Sequence, residues 1–204
     1  MFGKIASDVL GISDIGKIVP PKDYDKVESD NYIRHEDNER IYFLIKSKSD
    51  EYCFTDLALI HVDGASAVSK KRSLWRYDYY LHNLSDVRLE TAGTVDLDVE
   101  IKFLLGNKQF SIDVDKNQLE QLKDLYKALL KIAEIKYDKA KLSECANQSI
   151  KYASQTLGSA RTETRDLYDS FKQINEYSYA WLVNNHHKHQ VKNFGTVFER
   201  YIKN

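Results

Sequence analysis

The stretch GTVDLDVEIKF, residues 93–103, alternates acidic and apolar side chains with a period of two. In a β-strand successive side chains point to opposite faces, so this period places the acids on one face and the apolar residues on the other. The acids are Asp96, Asp98 and Glu100, and the apolar residues are Val95, Leu97, Val99, Ile101 and Phe103. The pattern predicts a strand whose odd-numbered side chains face a core while its even-numbered carboxylates face water.

The row of three carboxylates also raises the question of a metal or acid–base site. Side chains two residues apart on one strand lie about 7 Å from each other, because each residue advances the strand by about 3.3 Å. A Mg²⁺ or Ca²⁺ ion needs oxygens that converge to about 2.0–2.6 Å, and a glycosidase pair needs a cleft as well as the right separation. We therefore interpret Asp96, Asp98 and Glu100 as a hydrated face, with a hydrolase or metalloenzyme as the alternative hypothesis.

The segment around this stretch, residues 40–114, has the composition of strands throughout. Six runs rich in β-branched and aromatic residues follow one another, with short polar connections and no helical period between them. The runs are RIYFLIKS (40–47), EYCFTDLALIHV (51–62), SLWRYDYYLHNL (73–84), DVRLET (86–91), TVDLDVEIKFLL (94–105) and QFSIDV (109–114). Successive hairpins predict an antiparallel sheet that curls into a small barrel or pairs as a sandwich, and several small-barrel folds fit this pattern.

Helical periods flank the predicted sheet on both sides. Phe2, Ile5, Val9 and Ile12 indicate a short amphipathic helix, which ends before Pro20-Pro21 and an extended polar approach to the sheet. After the sheet, Asn117 and Glu120 have the spacing of a capping box. The apolar stripe that follows is Leu119, Leu122, Tyr126, Leu129 and Ala133. Such a stripe is suited to closing the open end of a barrel or sandwich.

The helical register changes beyond Ala133, which predicts a second region. New apolar stripes comprise Ala146, Ile150, Ala153 and Leu157, and then Leu167, Phe171, Ile174 and Trp181. Gly158-Ser159 indicates a stop between two helices, and a further break is expected near 189–195. We predict an α+β fold that is mainly β, with residues 1–136 as the sheet domain and 137–204 as a helical hairpin with a tail.

Bulk composition limits the classes of partner. Lys and Arg total 30 and Asp and Glu total 31, so a formal net charge of -1 gives no general attraction to nucleic acid or to an anionic membrane. Cys53 and Cys145 are too few and too far apart for a disulfide framework or a zinc site. No run of about 18 apolar residues is present. We expect a cytoplasmic protein without stable membrane insertion.

Several of these stretches together resemble the bacterial pleckstrin-homology-like family. The resemblance rests on a Phe-Thr strand motif in YCFTDLALIHVD, on the basic KKRS hairpin after it, and on VRLETAGTVDLDVEIKF. It implies a strongly bent, seven-stranded antiparallel sandwich or barrel capped by a helix, ring-like or higher homo-oligomers, and no established enzymatic activity. The tail from about 137 is similar to the helical oligomerisation extension of some Bacillus-type members. Ser69 and Ala58 depart from the residues expected in this family.

A basic patch on one hairpin is the strongest candidate for ligand binding. Lys70, Lys71, Arg72 and Arg76, interleaved with Trp75 and Tyr77, have the composition of a site for anionic lipid or a phosphate ligand. The alternative is a solvated hairpin with Trp75 packed inward. His186, His187 and His189 lack a third strong metal ligand nearby, and neither cysteine has a nucleophile signature. We expect no catalytic residue, no metal and no cofactor.

The predicted hairpin favours assembly over catalysis. Two helices enclose too little core to stand alone, so their apolar stripes must dock on the sheet domain or on other copies. Tyrosine is abundant, at 14 residues, and supplies large contact areas with a polar tip. We expect a non-enzymatic binding or scaffold module that forms homo-oligomers, with room for an unidentified protein partner and no nucleic-acid ligand. Peripheral anion binding through 70–76 is the alternative function.

Overall fold

The computed structural model describes residues 15–64, 72–91, 98–159 and 167–203. The chain forms two compact units. Unit 1 comprises Met1–Glu134 and Lys192–Asn204, and unit 2 comprises Ile135–Val191. The predicted helix over Phe2 to Ile12 lies outside the described residues.

Unit 1 contains eight strands within its described residues, arranged in two antiparallel sheets. The strands are β1 Lys17–Ile18, β2 Ile41–Lys46, β3 Asp50–Thr55, β4 Ala58–Gly64, β5 Arg72–Asp78, β6 Leu84–Glu90, β7 Asp98–Leu105 and β8 Lys108–Asp115. One sheet has the order β1-β2-β3-β4-β5 and the other has the order β6-β7-β8. A parallel bridge between Gly16 and Val114 joins the two sheets at one corner. The predicted bent antiparallel architecture is confirmed.

The predicted alternation of acidic and apolar side chains is present in β7. Val99, Ile101, Phe103 and Leu105 are buried, whereas Asp98 and Glu100 are only half-buried on the other face. The earlier part of the quoted stretch, including Asp96, lies outside the described residues. Strand β7 continues into β8 through a two-residue turn, in which Gly106 adopts a φ of 62° that favours glycine.

The run EYCFTDLALIHV, predicted without an interruption, forms two strands. β3 ends at Thr55 and β4 begins at Ala58, so the chain reverses at Asp56-Leu57 without glycine or proline. The Thr55 hydroxyl accepts hydrogen bonds from the backbone N–H groups of Leu57 at 3.1 Å and Ala58 at 2.8 Å. A side-chain hydroxyl therefore stabilises this turn, which residue composition did not reveal.

The N-terminal segment covers the outer face of the five-stranded sheet. Where the sequence predicted an extended approach, the chain forms three 3₁₀ turns at Pro21–Lys26, Glu28–Tyr32 and His35–Asp37. This segment contributes Val19, Val27 and Ile33 to a cluster with Leu44, Cys53, Ile60 and Val62. The five-stranded sheet is therefore buried on both faces over much of its area.

Aromatic side chains fill the space between the two sheets. Phe54 contacts Phe103 edge-on, with ring centroids 6.1 Å apart, and Phe103 stacks on Phe110 at 5.0 Å. Tyr52 and Tyr77, from the other sheet, contact the ring of Phe110. Such offset and edge-on pairs add to the stabilisation from burial alone.

Helix α1, Leu119–Ser159, starts in unit 1 and continues into unit 2. A 3₁₀ turn precedes it, and the Asp115 carboxylate caps that turn by accepting a hydrogen bond from the N–H of Asn117 at 2.9 Å. The cap is therefore Asp115 rather than Asn117. The helical residues buried in unit 1 are Leu122, Leu125, Ala128, Leu129 and Ile132. The predicted stripe located this face, but Tyr126 and Ala133 lie at its edge and are half-buried.

Helix α2, Leu167–His189, belongs to unit 2, whereas α3, Gly195–Tyr201, belongs to unit 1. Phe194, Val197 and Phe198 are buried, and the ring of Phe198 stacks on Tyr42 at 5.4 Å. The N–H of Phe194 donates to the Asp56 carbonyl at 2.8 Å. Residues from Lys192 onwards thus pack on the sheet domain, whereas the sequence had assigned all of 137–204 to the hairpin. Among the described residues, no helix combines the length and hydropathy needed to cross a bilayer.

Candidate functional site

The predicted basic patch is only partly described. Lys70 and Lys71 lie outside the described residues, whereas Arg72 and Arg76 begin and nearly end β5. Both arginine side chains lie close to carboxylates of unit 1. These carboxylates offset the positive charge that would otherwise attract an external anion.

Arg76 contacts the buried carboxylate of Glu39. Its Nη1 donates to both Glu39 oxygens at 3.1 Å, and the same carboxylate accepts from the Thr55 hydroxyl at 2.6 Å and from the Arg34 N–H at 2.9 Å. Burial alone would raise the pKa of Glu39, but the hydrogen bonds from Thr55 and Arg76 outweigh it and lower the pKa. Arg76 also donates to Asp78 at 2.9 Å. This arginine therefore joins β5 to the N-terminal segment.

Arg72 contacts the N-terminal segment in a similar way. Its Nε donates to Glu28 at 3.2 Å, and a Cβ added at Gly64 would lie 2.5 Å from its Nη1, so Gly64 leaves room for this side chain. Nearby, Lys46 pairs with Glu51, which also accepts from the N–H of Ser29 at 2.7 Å. The recess among these residues has a volume of about 30 Å³, which holds one or two water molecules. An anion site at Lys70, Lys71, Arg72 and Arg76 stays a prediction.

The acidic row forms part of the outer face of the three-stranded sheet. Asp98 lies opposite Asp115, and Glu100 lies opposite Asp113 and Glu90. Lys102 pairs with Glu90 at 2.9 Å and with Glu100 at 2.8 Å. Burial of Asp113, followed by the charges of Glu100 and Asp98, raises the pKa of its carboxyl. In the described parts of the chain, no group of three or more His, Cys, Asp or Glu side chains has the geometry to hold a metal ion.

The histidines of α2 and the two cysteines were also considered as candidate site residues. His186 and His187 are exposed at the end of α2, and His189 is half-buried. Cys53 is buried in the cluster beneath the N-terminal segment, and burial raises the pKa of its thiol, which opposes thiolate chemistry. Cys145 is exposed on α1.

The two helices of unit 2 pack along a seam with the spacing of a coiled coil. Seam positions on α1 and on α2 are separated alternately by four and three residues, as in a heptad. They are Lys139, Ser143, Ala146, Ile150 and Ala153 on α1, and Ile174, Ser178, Trp181 and Asn185 on α2. Asn185 is buried, and its Nδ2 donates to Asn147 at 3.3 Å and to Ser143 at 3.4 Å. This polar contact joins α2 to α1, and a buried polar contact of this kind favours one register over others.

A two-helix seam leaves much of the apolar surface of unit 2 uncovered. The exposed large apolar side chains of this unit are Tyr137, Leu142, Tyr152, Tyr168, Phe171, Ile174, Tyr177, Tyr179 and Leu182. A groove of about 220 Å³ lies beside the seam, between Ile150 and Ala153 of α1 and Ile174 and Tyr177 of α2. Exposed apolar surface in this amount is typical of contact surfaces for other chains.

Comparison with known families agrees with this two-part architecture. A family model described as the bacterial PH domain matches residues 9–133. The chain belongs to the bacterial PH-domain family. A second model, the YvbH-like oligomerisation region, matches residues 144–204. The bacterial PH domain thus coincides with the sheets and the first part of α1, and the second region includes most of the helical hairpin.

Two relatives extend over nearly the whole chain. An uncharacterised protein YvbH of Bacillus subtilis (strain 168) is 57% identical over 204 residues, which is all of both chains. The crystal structure of a PH-domain-containing bacterial protein from Exiguobacterium sibiricum 255-15 is 51% identical, with a TM-score of 0.83, and covers 93% of this chain and 100% of its own. The bacterial PH domain and its helical extension are therefore shared as a unit by these proteins.

The family motif of Phe54 and Thr55 has a structural role here. Phe54 is fully buried and contacts the rings of Phe43 and Phe103. Thr55 holds the β3–β4 turn and lies against Glu39, as described above. Both residues of the motif therefore stabilise the bacterial PH domain.

Sequence reasoning missed three features of these surfaces. The Glu39–Arg76 pair joins residues 37 positions apart, and a lone glutamate before a strand carries no signal of burial. Asn185 was detectable, because it occupies the last seam position of a four–three repeat on α2. The packing of Phe194 and Phe198 on the sheet domain was also missed, because all of 137–204 was assigned to the hairpin and its tail.

Proposed function

We propose that this protein is a non-enzymatic cytoplasmic scaffold whose helical hairpin joins copies of the chain, so that several bacterial PH domains act together. The observation that carries the proposal is the exposed aromatic and aliphatic surface of unit 2. The match of residues 144–204 to a family model described as an oligomerisation region supports the same function.

The energetics of unit 2 favour association. Burial of apolar surface stabilises by roughly 25 cal/mol per Å², and a pair of helices in isolation buries only one narrow stripe of each. The uncovered side chains are mostly tyrosines, which combine a large apolar body with a polar tip and are enriched at protein interfaces. Contact with further copies removes this surface from water.

Ligand capture and scaffolding, the two functions considered for this chain, need different surfaces. Ligand capture needs cationic side chains that can bind an external anion. Arg76 and Arg72 instead form ion pairs with carboxylates of their own unit. Scaffolding needs exposed apolar surface, which unit 2 provides. The contacts of the described residues thus favour the scaffold.

Light scattering coupled to size exclusion tests the proposal on the full chain. A variant with Tyr168, Phe171, Tyr177 and Tyr179 all replaced by Gln should lower the mass from an oligomer towards 23.7 kDa, the mass of one chain. Glutamine keeps helix propensity close to that of the native residues, and circular dichroism checks that the helices remain.

A matched variant controls for the loss of exposed apolar surface in general. Tyr32, Leu74, Trp75 and Leu81 are also exposed but belong to unit 1, and replacing these four by Gln should leave the oligomer intact. A control variant that dissociates, beside a hairpin variant that remains oligomeric, would reject the hairpin as the site of assembly.

A further inference from the structure

Helix α2 carries a second stripe beside the seam that packs on α1. The stripe consists of Tyr168, Phe171, Asn175, Tyr179 and Leu182. At 3.6 residues per turn these five positions lie within a face about 80° wide. Asn175, at its centre, is exposed. We call this set the α2 stripe.

The apolar members of the stripe are uncovered. Tyr168 is 75% exposed, Phe171 69%, Tyr179 70% and Leu182 44%. An aromatic side chain presents roughly 150–250 Å², so these four residues expose on the order of 500 Å² of side-chain surface. Two such stripes in contact would bury at most about 1,000 Å² in total, which is the size that separates a specific interface from a crystal contact.

The order of residues in the stripe is symmetric about its centre. Phe171 and Tyr179 each lie four residues from Asn175, and Tyr168 and Leu182 each lie seven residues from it. In either direction along the helix, two large apolar side chains therefore precede Asn175 and two follow it, at the same spacings. A surface with this property is self-complementary under a two-fold axis that runs through its central residue.

We propose that the α2 stripe pairs with the α2 stripe of a second copy, antiparallel, across a two-fold axis at Asn175. In this arrangement Phe171 packs against Tyr179 of the second copy, and Tyr168 packs against its Leu182. The two Asn175 amides meet at the axis, where each donates one N–H and accepts at one oxygen, so both are satisfied. A central asparagine pair selects this register over its neighbours.

This pairing rests on the proposed function, because it specifies which surface of the hairpin joins two copies. It also explains why α2 carries a second apolar stripe beside the seam. The seam positions pack on α1 of the same chain, and the α2 stripe packs on the second copy, so each α2 contacts two helices. The result is a four-helix contact formed by two hairpins.

Cysteine cross-linking of the full chain tests the geometry. Facing helices 8–10 Å apart bring side chains on their two-fold axis within reach of a disulfide. In a Cys145→Ser background, Asn175→Cys should convert most of the chain to a covalent dimer under mild oxidation. Ala180→Cys, exposed on a different face of α2, should cross-link little.

A matched pair of tyrosine variants gives a second readout. Tyr179 and Tyr177 are similarly exposed, but only Tyr179 belongs to the α2 stripe. Tyr179→Gln should raise the dissociation constant of the dimer roughly 30-fold, as expected for an interface anchor, whereas Tyr177→Gln should change it only a few-fold.

The outcomes separate the pairing from the proposed function. An oligomer that persists while Asn175→Cys cross-links no better than Ala180→Cys would overturn the antiparallel pairing and leave the scaffold proposal standing. A chain that stays monomeric at every accessible concentration would overturn both. Cross-linking at Asn175 together with the selective effect of Tyr179→Gln would support the pairing.

Discussion

The aromatic side chains between the sheets of unit 1 lie inside the unit, whereas most of those on α2 lie on the surface of unit 2. Phe54, Phe103 and Phe110 contact one another between two sheets. Tyr168 and Tyr179 are exposed by about 70% or more. The aromatic core of unit 1 is therefore buried within the unit, while unit 2 leaves most of the aromatic side chains of α2 exposed. The stability of unit 1 should be independent of protein concentration, and that of unit 2 should increase with it.

The same substitution in each unit tests this difference most strongly. Phe54→Ala removes a fully buried ring from unit 1 and should lower its free energy of unfolding by about 3–5 kcal/mol. Phe171→Ala removes an exposed ring and should cost less than about 1 kcal/mol in dilute solution, where copies are apart. Urea denaturation at low protein concentration measures both. Equal losses would mean that Phe171 is a core residue of a self-sufficient hairpin.

Polar contacts should show the same contrast between buried and exposed positions. Glu39→Gln leaves Arg76 beside a neutral partner and should destabilise unit 1 by about 3 kcal/mol, because a buried ion pair is broken on one side. Glu90→Gln, the control, breaks a more exposed pair with Lys102 and should cost at most about 1 kcal/mol. Thermal denaturation of the two variants in one buffer compares them, and a cost at Glu39 no larger than that at Glu90 would contradict a structural role for the network.

Acid should destabilise unit 1. Burial raises the pKa values of Glu39 and Glu51, but their hydrogen bonds outweigh it and lower the pKa below the ordinary value of 4.5. A carboxyl whose pKa is lowered by folding contributes stability above its unfolded pKa, and this stability is lost as the pH falls through the folded pKa. The free energy of unfolding, measured from pH 7 to pH 3, should therefore begin to fall near pH 4.5, and Glu39→Gln should reduce the slope. An acid transition unchanged by that variant would contradict the assignment.

The smallest change in the free energy of unfolding is expected at Asn185. Its substitution should mainly increase the number of helix registers and oligomers that form. Asn185→Leu replaces a buried polar contact with an apolar one, so the hairpin should change in stability by only about 1 kcal/mol. Without the polar contact, other registers and stoichiometries become accessible. Native mass spectrometry should then show a broader distribution of oligomers than wild type. A single unchanged species would mean that apolar packing alone specifies the register.

Local periodicity predicted the parts of the fold that depend on neighbouring residues. The two-residue period identified the buried face of β7, which contains Val99, Ile101 and Phe103. This prediction depends only on the sequence of the strand itself. The four–three spacing similarly located the buried face of α1, whereas Phe171 and Ile174 of the stripe predicted on α2 are exposed. These features follow from side-chain directions within one element.

Features that depend on distant residues were not predictable in the same way. The β3–β4 reversal is stabilised by the Thr55 hydroxyl rather than by glycine or proline, so composition did not mark it. Arg76 was assigned to a basic patch because its carboxylate partner, Glu39, comes from a distant segment. The packing of Phe198 on Tyr42 joins opposite ends of the chain, and the Tyr42 hydroxyl donates to Glu199 at 3.0 Å. Burial, followed by this contact with Glu199, raises the pKa of Tyr42 to about 12.

Sedimentation velocity of the wild-type chain over a range of concentrations tests the central claim most directly, because it asks whether unit 2 associates at all. The exposed surface of the hairpin predicts species heavier than 23.7 kDa at micromolar concentration, with dissociation on dilution. A single species of 23.7 kDa over the whole range would contradict the account, since the aromatic surface of α2 would then remain in water without a partner.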